Sequence, residues 1–119
     1  MCIQGIRIGQ RLTGRGVSQT VPAGATVTLL GLNANRLRAV FSMVPDAVAT
    51  APQTVSIQAN DGGTLRTAGA MSVGSPMLRM EVEQYGADLY NELVATNHGP
   101  AAVTVFATEY APPNGLEGV

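Results

Sequence analysis

The sequence predicts an all-β fold: a single β-sandwich, jelly-roll or immunoglobulin-like, with an extended N-terminal arm. Three observations carry that prediction. Apolar and polar residues alternate with a period of two in several short runs. Turn-forming residues recur about every 8–15 positions between those runs, the spacing of a sandwich or barrel. The chain has 119 residues, 45% of them apolar and only 13% charged, which gives one domain with a real core and a sparsely charged surface.

The chain opens on an arm, residues 1–20, in which "IRIGQRLTGRG" (6–16) holds three of the seven arginines and no acid. Gly5, Gly9, Gly14 and Gly16 interrupt any core pattern. Ordering such a segment costs about 1–2 kcal/mol per residue in backbone entropy, whereas an exposed arginine pair returns about 0.2–1 kcal/mol. The arm is therefore expected either to be disordered in isolation or to order on assembly, when a partner supplies backbone hydrogen bonds and burial. "IRI" alternates, so Ile6 and Ile8 can face one way and Arg7 the other, as in a strand added to an exposed sheet edge.

The sandwich is expected over residues 21–110. "TVTLL" offers Val27 and Leu29 to one face, and "LRAVFSM" lines up Leu37, Ala39, Phe41 and Met43. "TVSIQA" aligns Val55, Ile57 and Ala59. "NDGG" (60–63) follows, a reversal whose residues tolerate positive φ. "LRMEVE" sets Leu78, Met80 and Val82 against Arg79, Glu81 and Glu83, one dry side and one wet. "YGADLYNELV" (85–94) reads as a helical turn or as a tight bend followed by a strand. "AVTVFATEY" opposes Val103, Val105 and Ala107 to Thr104, Phe106, Thr108 and Tyr110. Being apolar on both faces, that strand belongs in the middle of a sheet or at a subunit contact. Residues 111–119 form a Pro/Gly-rich tail that should fray or lie along a neighbour.

Charge is distributed unevenly. Residues 1–45 carry Arg7, Arg11, Arg15, Arg36 and Arg38 with no acid, a charge of +5, while residues 46–119 carry −6. The split points to a basic arm or face that meets an acidic partner. Lysine is absent, and arginine suits planar, multidentate contacts better. Candidate partner-binding residues are Ile6, Arg7, Ile8, Arg11, Arg15, Arg36 and Arg38. For Arg36 the residues leave a second reading open, in which it pins its own turn by hydrogen bonds to local carbonyls.

Catalytic and metal chemistry find little material. Nucleophilic hydrolysis needs a Ser or Cys beside a His oriented by a carboxylate, and the one histidine, His98, falls in the turn signal "NHGP". Glu81 and Glu83 would stand about 7 Å apart on a strand, but Arg79 shares their face and no tryptophan exists to hold a sugar. "NDGG" lacks the alternating oxygen ligands of a calcium loop. A lysine-free chain cannot build a GxxxxGK phosphate loop. Cys2 stands alone, so neither an internal disulfide nor a cysteine zinc cluster forms. No enzyme activity, cofactor or metal is expected. Nucleic-acid binding is disfavoured, since the first 40 residues have no stacking aromatic and the pI is about 5.7. With no apolar run of membrane-spanning length, synthesis in a cytoplasm and no membrane association are expected.

The runs "QTVPAGATVTLLGLNANRLRAVFS", "VSIQANDGG" and "GSPMLRMEVEQYGADLYNELVATNHGPAAVTVFATEY" together resemble the small β-sandwich virion proteins of tailed bacteriophages. Asn33, Asn35 and Arg36 match an "N-x-N-R" element of that group. Tyr85, Gly86, Leu89 and Tyr90 follow its "Y-x-G-x-L-Y" bend with different spacing. The resemblance spans roughly residues 19–110 and implies a non-enzymatic virion protein. Its expected role is capsid cement or decoration: a homo-oligomer on the capsid surface that binds the major capsid protein and staples neighbouring subunits. A tail or head-fibre component that binds a receptor or glycan is the alternative, and a shell-forming subunit a third.

Overall fold

The computed structural model describes residues 13–45 and 53–112. Eight strands form two four-stranded antiparallel sheets. They are β1 (Thr13–Val21), β2 (Thr26–Leu30), β3 (Arg38–Pro45), β4 (Thr54–Asp61), β5 (Thr64–Ser72), β6 (Met77–Glu81), β7 (Glu92–Asn97) and β8 (Val103–Ala111). The first sheet has the order β1-β8-β3-β6 and the second β2-β7-β4-β5. In effect one long hairpin has been rolled up: β4 pairs with β5, β3 with β6, β2 with β7 and β1 with β8. That nested pairing is a jelly roll, which decides between the two sandwich types the sequence allowed.

The hairpin tip is the "NDGG" reversal. Gly62 and Gly63 both have positive φ, 61° and 100°, and the Asn60 side-chain oxygen accepts from the Gly63 N–H at 2.9 Å. A two-residue loop of this kind matches the right-handed twist of the strands it joins. From the tip the alternating residues point inward as expected. Ala39, Phe41 and Met43 of β3 and Val103, Val105 and Ala107 of β8 meet Val55, Ile57 and Ala59 of β4 and Leu93 of β7 across the core. Emptying one such position, Phe41→Ala for example, costs about 3–5 kcal/mol.

Two departures from simple alternation have local causes. In β2 the register slips between Thr28 and Leu30, so Leu29 and Leu30 are both buried rather than Leu29 alone. β6 stops at Glu81, one residue before the apolar Val82, and the chain turns through α1 (Val82–Tyr85) and a 3-10 turn (Gly86–Tyr90) into β7. The 85–94 segment is thus a bend followed by a strand. Glu81 and Glu83 consequently do not share a strand face.

The largest departure concerns the arm. Residues 13–20, expected within it, make up most of β1, whose nine residues pair one for one with β8 from Thr13↔Ala111 to Val21↔Val103. The sandwich therefore begins at residue 13. For residues 13–20 the expectation of ordering on a partner is corrected: the chain's own β8 provides the backbone hydrogen bonds. Residues 1–12, 46–52 and 113–119 lie outside the described residues, and with them Cys2, Ile6, Arg7, Ile8 and Arg11.

Candidate functional site

Three arginines predicted to bind partners are described, and two of them converge on one carboxylate. Glu109 lies on β8, facing into the sandwich opposite Arg15 of β1. Arg36 ends the "NANR" turn between β2 and β3. There the Asn33 side-chain oxygen accepts from the Asn35 N–H at 3.0 Å, and the Arg36 N–H bonds the Asn33 carbonyl at 3.2 Å. The turn throws the Arg36 side chain inward, where it is 1% exposed.

Four of the five guanidinium N–H groups of Arg36 donate hydrogen bonds, and the group is also ion-paired to Glu109. Nε donates to Glu109 Oε1 at 2.9 Å, and a terminal nitrogen approaches the same oxygen at 2.8 Å. The other terminal nitrogen donates to the Leu89 carbonyl at 2.8 Å and the Asn91 carbonyl at 3.0 Å. The Gly31 carbonyl takes the last. Asn33 adds its amide to Glu109 Oε1 at 3.2 Å. One buried arginine thus fastens the β2–β3 turn, the 3-10 turn before β7, and β8. The reading of Arg36 as a partner contact is corrected: as folded, its side chain has no surface to offer, and the turn-pinning reading describes it.

Arg15 approaches the same carboxylate from the opposite side, its Nε 4.0 Å from Glu109 Oε2, with 80% of its side chain exposed. Between them lies an open cleft of about 250 Å³, lined by Thr13, Arg15, Asn33, Glu109, Ala111 and Pro112. Thr13 and Pro112, the first and last of the described residues, thus both line this cleft.

Arg38 belongs to a different surface, the outer face of the first sheet. It bonds Glu81 of β6 at 2.9 Å, and its guanidinium lies over the Tyr110 ring 5.6 Å from the centroid. Arg79 pairs with the same Glu81 at 3.4 Å. Tyr110 in turn lies across Gly14 of β1, where an added Cβ would stand 3.0 Å from the ring. An aromatic side chain here shields an edge glycine. Beyond this charged row the face becomes apolar. Phe106 is 45% exposed, Val44 53% and Met77 62%. Their clustering about Ser42 follows from the registers Ser42↔Phe106, Ser42↔Met77 and Val44↔Thr104. The two-sided apolarity of β8 had marked Phe106 in the sequence. Nothing marked Met77, the first residue of a short strand, or Glu109, whose importance depends on where Arg36 points.

The second sheet shows a hydrogen-bonded outer face instead. Thr96 bonds Thr26 at 2.7 Å and Gln58 at 2.9 Å, and Asn60 donates to Glu92 at 2.8 Å. Ser56 Oγ and His98 Nε2 are 2.8 Å apart. A serine–histidine pair needs a third group to orient the imidazole for nucleophilic work, and among the described residues no carboxylate hydrogen-bonds His98. Nor do three or more metal-ligating side chains gather among the described residues.

No protein-family model matches the chain, and no curated protein does. Its fold does resemble those of solved structures. With a TM-score of 0.55 and 8% identity, 83% of the chain aligns with 96% of the SPBc2 prophage-derived protein YomS. At 0.54 and 11% identity, 94% of it aligns with 96% of a protein of the Bacillus endospore appendages, described as a family of disulfide-linked pili. At 0.52 and 14% identity, 84% of the chain aligns with 37% of the PBSX exported protein XepA, so it spans little more than a third of that protein. At such identities the likeness is one of fold, and the fold is the jelly roll.

Proposed function

We propose that this protein is a non-enzymatic structural component of a virus particle, a cement or decoration subunit on the head of a tailed phage. Its partner is the major capsid protein, and its role is to hold neighbouring capsid subunits together. One observation carries the reading: a jelly roll whose first sheet turns outward a face with charges paired to one another and a remainder that is partly apolar. A face of that kind serves association rather than turnover. The fold likeness to a prophage-derived protein and to a pilus component supports the same class of role.

The basic segment now has a defined starting point. Residues 1–12 precede Thr13 at the Glu109 cleft, and fully extended they reach about 40 Å, enough to pass beyond one subunit. Arg7 and Arg11 then meet acidic groups on the shell, with Ile6 and Ile8 pairing against a neighbour's sheet edge. The test is binding to phage heads stripped of this protein. Full-length chain should rebind to saturation, and a variant lacking residues 1–12 should show clearly lower occupancy. Failure of the full-length chain to co-purify with intact virions, or to rebind stripped heads, would overturn the proposal.

A further inference from the structure

We infer that the outer face of the first sheet is an interface between two copies of this chain, docked about a two-fold axis that runs along the strands between β8 and β3. The argument is one of size. Across the sheet, β1 presents Gly14, Gly16 and Ser18 outward, while β6 at the far edge presents Met77, Arg79 and Glu81. A rotation about the stated axis lays β1 of one copy over β6 of the other and β8 over β3, keeping each cross-strand row in step. Two of the three complete rows then set small residues against large ones.

In the first such row, Ser18, Phe106, Ser42 and Met77 lie side by side. The rotation places Phe106 over Ser42 of the second copy and Ser18 over its Met77. In the next row Gly16 receives Arg79, and Thr108 faces Val40. In the charged row Gly14 is already covered by Tyr110 of its own copy, and that Tyr110 comes over Arg38 of the second copy. The charges arrive already paired within each copy, Arg38 and Arg79 both with Glu81, so no lone ion is trapped. A sheet with Gly16 and Ser18 at one edge, Arg79 and Met77 at the other, and Phe106 beside Ser42 between them is its own complement under this symmetry, and isologous contact is the usual one in dimers.

The area suits a weak association. β6 has five residues and β3 eight, so with strands at about 4.8 Å and residues at about 3.4 Å the overlap is about 420 Å² per copy. The pair then buries about 850 Å², the range of weak and transient contacts. The dimer should accordingly be weak, with a dissociation constant in the micromolar range. This inference does not depend on the virion reading, because it concerns the purified chain alone.

Sedimentation equilibrium of the full chain, with circular dichroism to confirm folding, tests it. The wild type should be dimeric at about 100 µM, and Phe106→Ser or Ser42→Phe alone should weaken association at least about tenfold. The exchanged double variant, Phe106→Ser with Ser42→Phe, should recover to within about threefold of wild type, because the axis sets each position over the other. Thr67→Arg, on the second sheet, should leave the dimer intact. Thr108→Arg provides an independent disruption should either swap variant fold poorly. A wild type monomeric at about 100 µM, or an exchanged variant no stronger than its single parents, would overturn the inference.

Discussion

Replacing Arg36 by methionine tests the central fastening of this fold. The substitution keeps an unbranched side chain and removes five hydrogen-bond donors from a site that is 1% exposed. Glu109 then keeps only the Asn33 amide at 3.2 Å and the loose Arg15 contact at 4.0 Å, while the carbonyls of Leu89, Asn91 and Gly31 lose a partner. Removing one member of a buried ion pair costs about 3–5 kcal/mol. Each stranded carbonyl would add about 1–3 kcal/mol if it stayed dry. Water admitted at the β2–β3 turn satisfies some of them, so the smaller range is the expected total. Against a domain stability of about 5–15 kcal/mol, that is a large fraction. Urea unfolding followed by circular dichroism should show a midpoint shift of that size with little change in slope. Arg36→Met combined with Glu109→Leu should be at least about 2 kcal/mol more stable than the sum of the single effects, because neither charge is left without its counterpart. A loss below about 1 kcal/mol for Arg36→Met, or strict additivity in the double variant, would refute the account of Arg36 as the clasp of the fold.

Other expectations follow from close contacts. An added Cβ at Gly99 would stand 1.5 Å from Gln53 Oε1 and 3.1 Å from the Gln53 backbone, so Gly99→Ala should cost about 1–3 kcal/mol in a thermal melt. Gly69→Ala meets only the movable end of Leu78 at 2.8 Å and should cost less than Gly99→Ala in the same assay. Asn97 is buried, donates to the Val21 and Ala101 carbonyls and accepts from the Gly99 N–H, so Asn97→Leu should destabilise by about 2–4 kcal/mol in urea unfolding. The Arg66 guanidinium, hydrogen-bonded to Asp88 and Asp61, is held above its already high ordinary value. A raised folded-state value means its contribution is complete below the ordinary arginine range and fades only above it. The melting difference between wild type and Arg66→Gln should therefore be the same at pH 7 and pH 10.

The strands legible in the sequence are those that touch the core on alternate residues. Phe41, Ile57, Met80 and Val105 sit in runs whose neighbours face water or the sheet exterior, so the period of two survives in the text. The two strands that went unread, β1 and β5, are edge strands. β1 buries only Val21 of its nine residues, and Met71 is the one buried residue of β5. Their order comes from hydrogen bonding to β8 and β4, an interaction every backbone can make and no side-chain pattern records. The bulge at Leu29 was hidden for a related reason: "TLL" alternates no differently whether one leucine or both turn inward. The Glu109 cleft was half legible. Arg15 and Arg36 stood out as arginines in an acid-free stretch, but their shared carboxylate is 73 residues from Arg36.

The topology also explains the charge asymmetry that first suggested an acidic partner. In a rolled hairpin the first half of the chain lies against the second half by construction: β1 beside β8, and β3 between β8 and β6. Bases drawn from residues 1–45 and acids from 46–119 are thereby brought into register within one molecule. Arg36 reaches Glu109 and Arg38 reaches Glu81, with Arg15 4.0 Å from Glu109. Much of the apparent excess is neutralised internally and demands no partner. Among the described arginines of this half, Arg15 keeps a largely exposed side chain for an acidic surface, while Arg7 and Arg11 lie outside the described residues. Replacing Arg7 and Arg11 by alanine should therefore lower rebinding to stripped phage heads and flatten its salt dependence, as expected of exposed ion pairs. Arg38→Ala should leave that salt dependence unchanged. Equal losses from both would mean that the sheet face and the basic segment contact the shell together, and that the division of labour drawn from the ion pairs is wrong.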